Sequence, residues 1–170
     1  YRVSVNGTIA GDALNVAVSA PPTGEAMVRD IPQILSFTRI QQFPQSVHFA
    51  YNERNFYQDG LLFVDSTFFE VFSFEMIRGN PRKALVEPYS LVLTASVAKK
   101  IFGNDNPIGK VILTNNNASF TVTGIVADPP GNSHFDFEVL ASFTTMIEMN
   151  GEETYTHWGS LSLYTYVLIA

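Results

Sequence analysis

Short runs of β-branched and aromatic residues, each cut off by Gly, Pro, Asn or Asp, dominate the hydrophobic pattern of this chain, and such runs predict strands. The first, YRVSVNGTIAGDALNVAVSA, is apolar on both sides of Gly11-Asp12 and reads as one long strand or as a hairpin, ended by Pro21 and Pro22. Thr23 is placed to cap a short helix, GEAMVRD, which must stop before Pro32 because the residue ahead of a proline is pushed out of the helical region. ILSFTRIQQF and SVHFAYN follow as extended segments, and Asn52-Glu53-Arg54-Asn55 is a polar turn into the strand FYQDGLLFVD.

Asp65 then offers a carboxylate to cap the helix STFFEVF, where Phe68, Phe69 and Phe72 recur at helical spacing on one face. A phenylalanine stripe of this kind belongs to a core. After SFEMIRG, a turn at Gly79-Asn80-Pro81 leads to YSLVLT, an apolar run that reads as a buried strand. Thr94 caps a helix from Ala95 to Phe102, and KVILT, a turn at Asn115-Asn116-Asn117 and SFTVTGIVAD make a hairpin. Pro129-Pro130-Gly131 breaks the chain before the strand FDFEVLASF, the short helix TTMIEM and a last strand in SLYTYVLIA. About nine strands against four short helices, in mixed order, give an α+β fold with mixed sheets. One seam lies near Phe43-Pro44-Gln45; a last strand from Leu161 that returned to the first strand-helix-strand unit would leave 46–155 as an insertion.

Composition changes this picture in three places. A net charge of −6, with ten basic residues scattered along the chain, excludes nucleic acid as a partner, because neutralising phosphates takes clustered Lys and Arg. No run reaches the ~20 apolar residues of a spanning helix, and Tyr1 opens no signal sequence. Charged residues are only 15%, below the usual quarter, which points to surface covered by a partner or by further chain. Tyr1 in place of an initiator methionine, and a strand pattern still running at Ala170, are expected of a segment cut from a longer protein. The absence of cysteine excludes disulfides and leaves the compartment open.

Candidate chemistry is thin. KKIFGNDNPIGKV ends in Gly109-Lys110 and suggests a phosphate loop, but five residues separate Gly103 from Gly109 where a Walker loop has four, and Val111 replaces the hydroxyl residue. The order of elements, helix then loop then strand, is also inverted. His48, His134 and His157 have no metal-ligand spacing, and no G-x-S-x-G elbow is present. Ser133, His134 and Asp136 are close in sequence, but alternation along a strand would put Ser133 on the opposite face. Glu70, Glu75, Glu148, Glu152 and Glu153 read as solvated acids. Asn6-Gly7-Thr8 and Asn117-Ala118-Ser119 match the glycosylation triplet, which matters only in a eukaryotic secretory context. No catalytic, cofactor or metal site emerges.

Three blocks carry a family signal instead. FVDSTFFEVFSFEMIRGNPRKAL (Phe63 to Leu85), SLVLTASVAKKIFGNDNPIGKVILTNN (Ser90 to Asn116) and FTVTGIVADPPGNSHFDFEVLASF (Phe120 to Phe143) together resemble the MacB-like periplasmic core domain of ABC-transporter permeases of the FtsX, LolC/LolE and MacB type. Within them Asp65, Phe68, Phe69, Phe72, Phe74, Gly79, Phe102, Gly103, Pro107 and Gly109 are motif positions with architectural roles: Gly79 for a positive φ, Pro107 to fix the loop after Phe102, Gly109 to open a strand.

The resemblance implies a non-enzymatic, extracytoplasmic domain at the periplasmic face of the bacterial inner membrane, between the first and the remaining helices of a four-helix permease subunit. It implies coupling of cytoplasmic ATP hydrolysis to export or release, an ATP-binding subunit or domain as partner, a periplasmic adaptor or lipoprotein carrier, and a permease dimer. It also implies a partial porter-like subdomain at 1–45 and 156–170, with an inserted β-rich subdomain at 46–155. A ligand-sensing receptor ectodomain is the competing reading and a hydrolase built from distant acids a third. Tyr51 and Tyr57, aromatic residues beside a polar tip, are the candidates for a partner contact, with packing inside the hairpin as the alternative.

Overall fold

The computed structural model describes residues 1–9, 11–114, 118–131, 133 and 136–170. The turn at Asn115-Asn116-Asn117, one triplet's Asn117, and Asn132 and His134 of the NSH motif lie outside the described residues. A ribbon of β1 (Val5–Ile9) and β2 (Asp12–Val16) settles the first segment as a hairpin. Helix α1 (Thr23–Asp30) follows, then β3 (Ile34–Phe43), β4 (Val47–Tyr51), β5 (Arg54–Gln58), β6 (Leu61–Val64), α2 (Phe68–Val71), β7 (Met76–Gly79) and β8 (Ser90–Thr94). The chain closes with α3 (Ala95–Phe102), β9 (Val111–Thr114), β10 (Ser119–Val126), β11 (Val139–Ser142), α4 (Phe143–Asn150), a 3-10 turn (Glu152–Tyr155) and β12 (Tyr164–Ile169).

The α+β class holds, with more strands than the pattern predicted. FYQDGLLFVD is two strands, because Gly60 turns the backbone at φ 63° while its carbonyl accepts from Glu138 N at 3.0 Å. The tip before it is a two-residue turn, with Asn52 and Glu53 both at positive φ, the geometry whose twist suits a hairpin. Arg54 and Asn55 therefore belong to β5.

Among the described residues one mixed sheet has ten strands, nine in the order β12-β3-β6-β11-β8-β10-β9-β4-β5 and β7 off that path against β10. Strands β9 and β7 share one edge of β10, the first along Ser119 to Thr121 and the second along Gly124 to Val126. The last strand does return to the first unit: β12 runs antiparallel to β3 from Tyr164↔Ile40 to Ile169↔Ile34, starting at Tyr164 rather than Leu161. Strand β3 also pairs with β6, so hydrogen bonding continues without a break into the middle of the chain.

The central strands are buried on both faces and accordingly read as continuous apolar runs. In β8, Leu91 and Leu93 face a core shared with Val97, Ile101 and Phe102 of α3 and Phe143 of α4, whereas Val92 faces a second core with Phe68, Leu85 and Phe137. Helix α3 illustrates the local logic. The Thr94 hydroxyl accepts from Val97 N, Val97, Ala98, Ile101 and Phe102 are buried, and Gly103 closes the helix at φ 64° with its N–H on Lys99 O.

Two caps differ from expectation. Thr23 is the first residue of α1, with Pro22 in the cap position and no side-chain cap bond. Helix α2 is a single turn preceded by Thr67, again without a side-chain cap; the Thr67 hydroxyl donates to Phe37 O instead.

Candidate functional site

Asp65 is not a helix cap. Its carboxylate reaches back across the sheet to Arg39, accepting from the backbone N at 2.6 Å, from Nε at 3.0 Å and from Nη2 at 2.8 Å. The pairing of Ile40 with Val64 brings the two residues together, just beyond the last β3–β6 pair. The guanidinium then lies 4.3 Å from the Phe143 ring centroid, so one cation joins β3, the end of β6 and the start of α4. Arg39 was not among the expected site residues. Its only signal is a lone cation inside the apolar run ILSFTRIQQF.

The phenylalanine block packs on the second core, with Phe68 inside it and Phe69, Phe72 and Phe74 half-buried against it. Phe68 is fully buried, with Phe69, Phe72, Phe74 and Phe137 centroids between 5.1 and 6.0 Å away, and Phe72 packs on Tyr166 at 5.1 Å. Gly79 holds φ 102° opposite Gly124, where a Cβ would stand 2.6 Å from Thr123 O. Only glycine permits so close an approach of two backbones.

The loop after α3 uses its backbone donors internally. Gly103 N bonds Lys99 O, Asp105 N bonds Phe102 O, Gly109 N bonds Val122 O at 2.8 Å and Lys110 N bonds Pro107 O at 3.0 Å. Ile108 N donates to the Asn106 carboxamide. Anion binding in such a loop needs N–H groups that point outward, and these five are engaged. Phe102 and Pro107 are buried, and Gly109 takes φ 79° to start β9.

Tyr51 and Tyr57 part company. The Tyr51 ring packs on Phe102 with centroids 4.6 Å apart, while Tyr57, paired across the hairpin with His48, lies on the other face and is 72% exposed. Lys100 Nζ donates to Tyr57 O at 3.1 Å and Gln58 Oε1 at 3.0 Å, which ties α3 to the edge strand.

Among the described residues no group of three or more His, Asp and Glu is placed to hold a metal, and no helix is long and apolar enough to cross a membrane. The ionisation shifts lie outside any cleft. A hydrogen bond from Arg29 holds the Asp30 carboxyl below its usual range at the exposed end of α1, and burial pushes the Tyr166 hydroxyl up against the opposing pull of Arg2. Two surface concavities stand out. One, of about 530 Å³, is a half-polar cleft between Phe69, Glu70 and Arg82. The other, of about 370 Å³, is an apolar groove between the β3–β4 corner and α4, which the sequence did not single out because its walls come from residues a hundred positions apart.

The family model of the MacB-like periplasmic core domain matches residues 2–170. A crystallised domain of a protein assigned as a permease from Porphyromonas gingivalis superposes with a TM-score of 0.80 at 20% identity, over 94% of this chain and 66% of that one. The periplasmic region of MacB from Actinobacillus actinomycetemcomitans gives 0.67 at 20% identity, covering 98% and 73%. The extracellular domain of the ABC-type transporter YknZ from Gram-positive bacteria gives 0.58 at 15%, covering 89% and 73%. The chain thus spans about two thirds of the first of these domains. No curated protein matches the sequence significantly.

Proposed function

Since the chain belongs to the MacB-like periplasmic core domain family of ABC-transporter permeases, we propose that it relays movement between a permease's membrane helices and a partner outside the inner membrane of a bacterium. ATP is hydrolysed on a cytoplasmic subunit or domain, and this domain couples that hydrolysis to export or release of a substrate without catalysing a step itself. The full-length permease works as a dimer, and an adaptor or lipoprotein carrier meets the domain on its periplasmic side.

The observation that carries this reading is the family match over residues 2–170. In support, the motif residues Phe68, Phe69, Phe72, Phe74, Gly79, Phe102, Gly103, Pro107 and Gly109 take packing and turn roles, as a load-transmitting body requires. We read 1–45 with 156–170 as a porter-like unit and 46–155 as its insertion, the two sharing the β3–β6 ladder. Tyr57 rather than Tyr51 is the aromatic side chain offered to a partner.

The test is to determine the parent reading frame and assay the full-length permease with its ATPase in proteoliposomes. Apolar spans on both sides of the domain, and transport that is lost on deleting 46–155 while ATP is still hydrolysed, are the expected results. A frame without membrane spans, or one continuing into a kinase module, would overturn the reading and favour a sensor.

A further inference from the structure

The apolar groove has a floor of buried core residues, Val47, Leu61 and Phe63, and two exposed lips, Phe43 at 40% and Met149 at 49% exposure, with Met146 beside the latter. Among the described residues that line it none is charged, and Gln45, Thr114 and Asn150 are its polar members, so whatever fills it is apolar where it meets the floor and the lips. The chain beside it is short of cations. No Lys or Arg occurs anywhere from Val111 to Ala170. Glu152 and Glu153, on the turn that follows the lining residue Asn150, are exposed, and no ion pair engages them among the described residues. Asp59, bonded by the Ser46 hydroxyl, adds a third acid beside the β3–β4 corner. Of the cations on neighbouring elements, Arg39 is tied to Asp65 and Lys100 to Tyr57 O and Gln58, while Arg54 stands at the tip end of β5, opposite Tyr51 and away from the β3–β4 corner.

We propose that this groove seats apolar side chains of a partner-protein segment that carries Lys or Arg on its flanks. The proposal deepens the partner-contact part of the proposed function and names the partner's chemistry. Charge decides between occupants. An acyl chain would enter an apolar groove equally well, but its phosphate headgroup would approach the carboxylates of Asp59, Glu152 and Glu153, whereas a basic flank is drawn to them. The two methionines at the lip suit a peptide, since unbranched thioethers repack around different side chains. An apolar stripe laid into a groove, with charges outside it, is an established mode of peptide recognition.

The experiment uses the 170-residue chain with 13C-labelled methionine methyl groups, and it can fail without touching the transport reading, which is tested by transport. The probe is a fluorescein-labelled synthetic peptide with a Leu-rich centre and Lys at both ends. A Glu-ended version and vesicles of phosphatidylcholine with and without phosphatidylglycerol serve as alternatives. The Lys-ended peptide is expected to bind by anisotropy at low salt and to shift the Met146 and Met149 methyl signals, leaving Met27 and Met76 in place. The double variant E152K/E153K is expected to bind it about tenfold more weakly and to gain affinity for the Glu-ended peptide. M149K, at an exposed lip, is expected to weaken both while the urea midpoint stays unchanged. Equal binding of the two peptides, shifts at Met27 or Met76, binding indifferent to both variants, or a response to phosphatidylglycerol vesicles alone would overturn it.

Discussion

Replacing Asp65 by Ala tests the junction most directly. The carboxylate accepts three hydrogen bonds from Arg39, and the two side chains are only 15% and 16% exposed. Its removal leaves a guanidinium against Phe143 with no counter-ion. Breaking a buried pair from one side costs about 3–5 kcal/mol, and the residual exposure lets water reach the cation, so we expect about 3 kcal/mol. For a chain of this size that corresponds to a Tm lower by roughly 6–12 °C. Arg39→Met is milder, about 2 kcal/mol, because Asp65 keeps the Arg39 backbone N–H at 2.6 Å. The double variant Arg39→Met/Asp65→Leu removes both charges and fills the space with apolar atoms, an exchange that is often close to neutral. Equilibrium unfolding in urea, followed by far-ultraviolet circular dichroism on all four proteins, should find the double variant more stable than Asp65→Ala and short of the parent by about 1–2 kcal/mol, for the backbone N–H of residue 39 left without its acceptor. A loss below about 1 kcal/mol for Asp65→Ala, or a double variant no more stable than Asp65→Ala, would refute the view that this pair holds β3, β6 and α4 together.

Four further outcomes are expected from the same unfolding assay. Gly79→Ala should cost about 2–4 kcal/mol, since the new methyl meets Thr123 O as well as an unfavourable φ, whereas Gly103→Ala, with open space around it, should cost only about 1 kcal/mol. Glu53→Gly should stabilise by about 0.5–1 kcal/mol, because Asn-Gly suits a turn with two positive φ angles; no gain would mean that the tip is held by something other than its own geometry. Tyr51→Ala should lose about 1–2 kcal/mol of packing on Phe102 and Tyr57→Ala no more than about 0.5 kcal/mol. For Tyr166 the raised hydroxyl pKa means that the folded state keeps its proton longer than the unfolded state. Its contribution is therefore full below the ordinary value of 10.0 and is lost as pH rises above it, so Tyr166→Phe should lose less stability than the parent between pH 9 and 11.

What could be read from the sequence was what is decided locally. Thr94, Gly103 and Gly109 act on residues within four positions of themselves or through their own φ angle, and each stands where the pattern put it. The phenylalanine stripe was legible as packing but not as a helix face, since Phe72 already stands in extended backbone after α2. Asp65 was misassigned because a capping carboxylate and a cross-sheet ion-pair partner look alike in sequence; the partner, Arg39, lies 26 positions earlier and is brought close only by the β3–β6 register. Gly24 shows the same blindness, since a Cβ there would overlap the Phe37 ring, a contact between α1 and β3 that no periodicity announces. The groove was beyond reach altogether, its lips at Phe43 and Met149 meeting only once the sheet has formed.

Strand β3 has a position that makes the fold more than a scaffold for its surfaces. It pairs with β12 on one edge and β6 on the other, and both ends of the chain are fastened near it, Tyr1 N to Val167 O and Ala170 N to Gln33 O. Strand β6 pairs in turn with β11, which runs directly into α4, and Arg39 bonds Asp65 at the far end of β6 while covering Phe143 at the first turn of α4. A pull applied at either terminus therefore enters through β3 and β12 and meets no loop before it reaches α4, whose last turn carries the lip of the groove. Hydrogen-bonded ladders and close-packed cores deform little and move as bodies. On the transport reading proposed above, the domain should then swing or tilt as one piece instead of hinging between β3 and β6. Amide exchange decides this: β3 and β6 should exchange in a single cooperative unit in the parent, and a β3 that opens at lower free energy than β6 would place the hinge at that ladder after all.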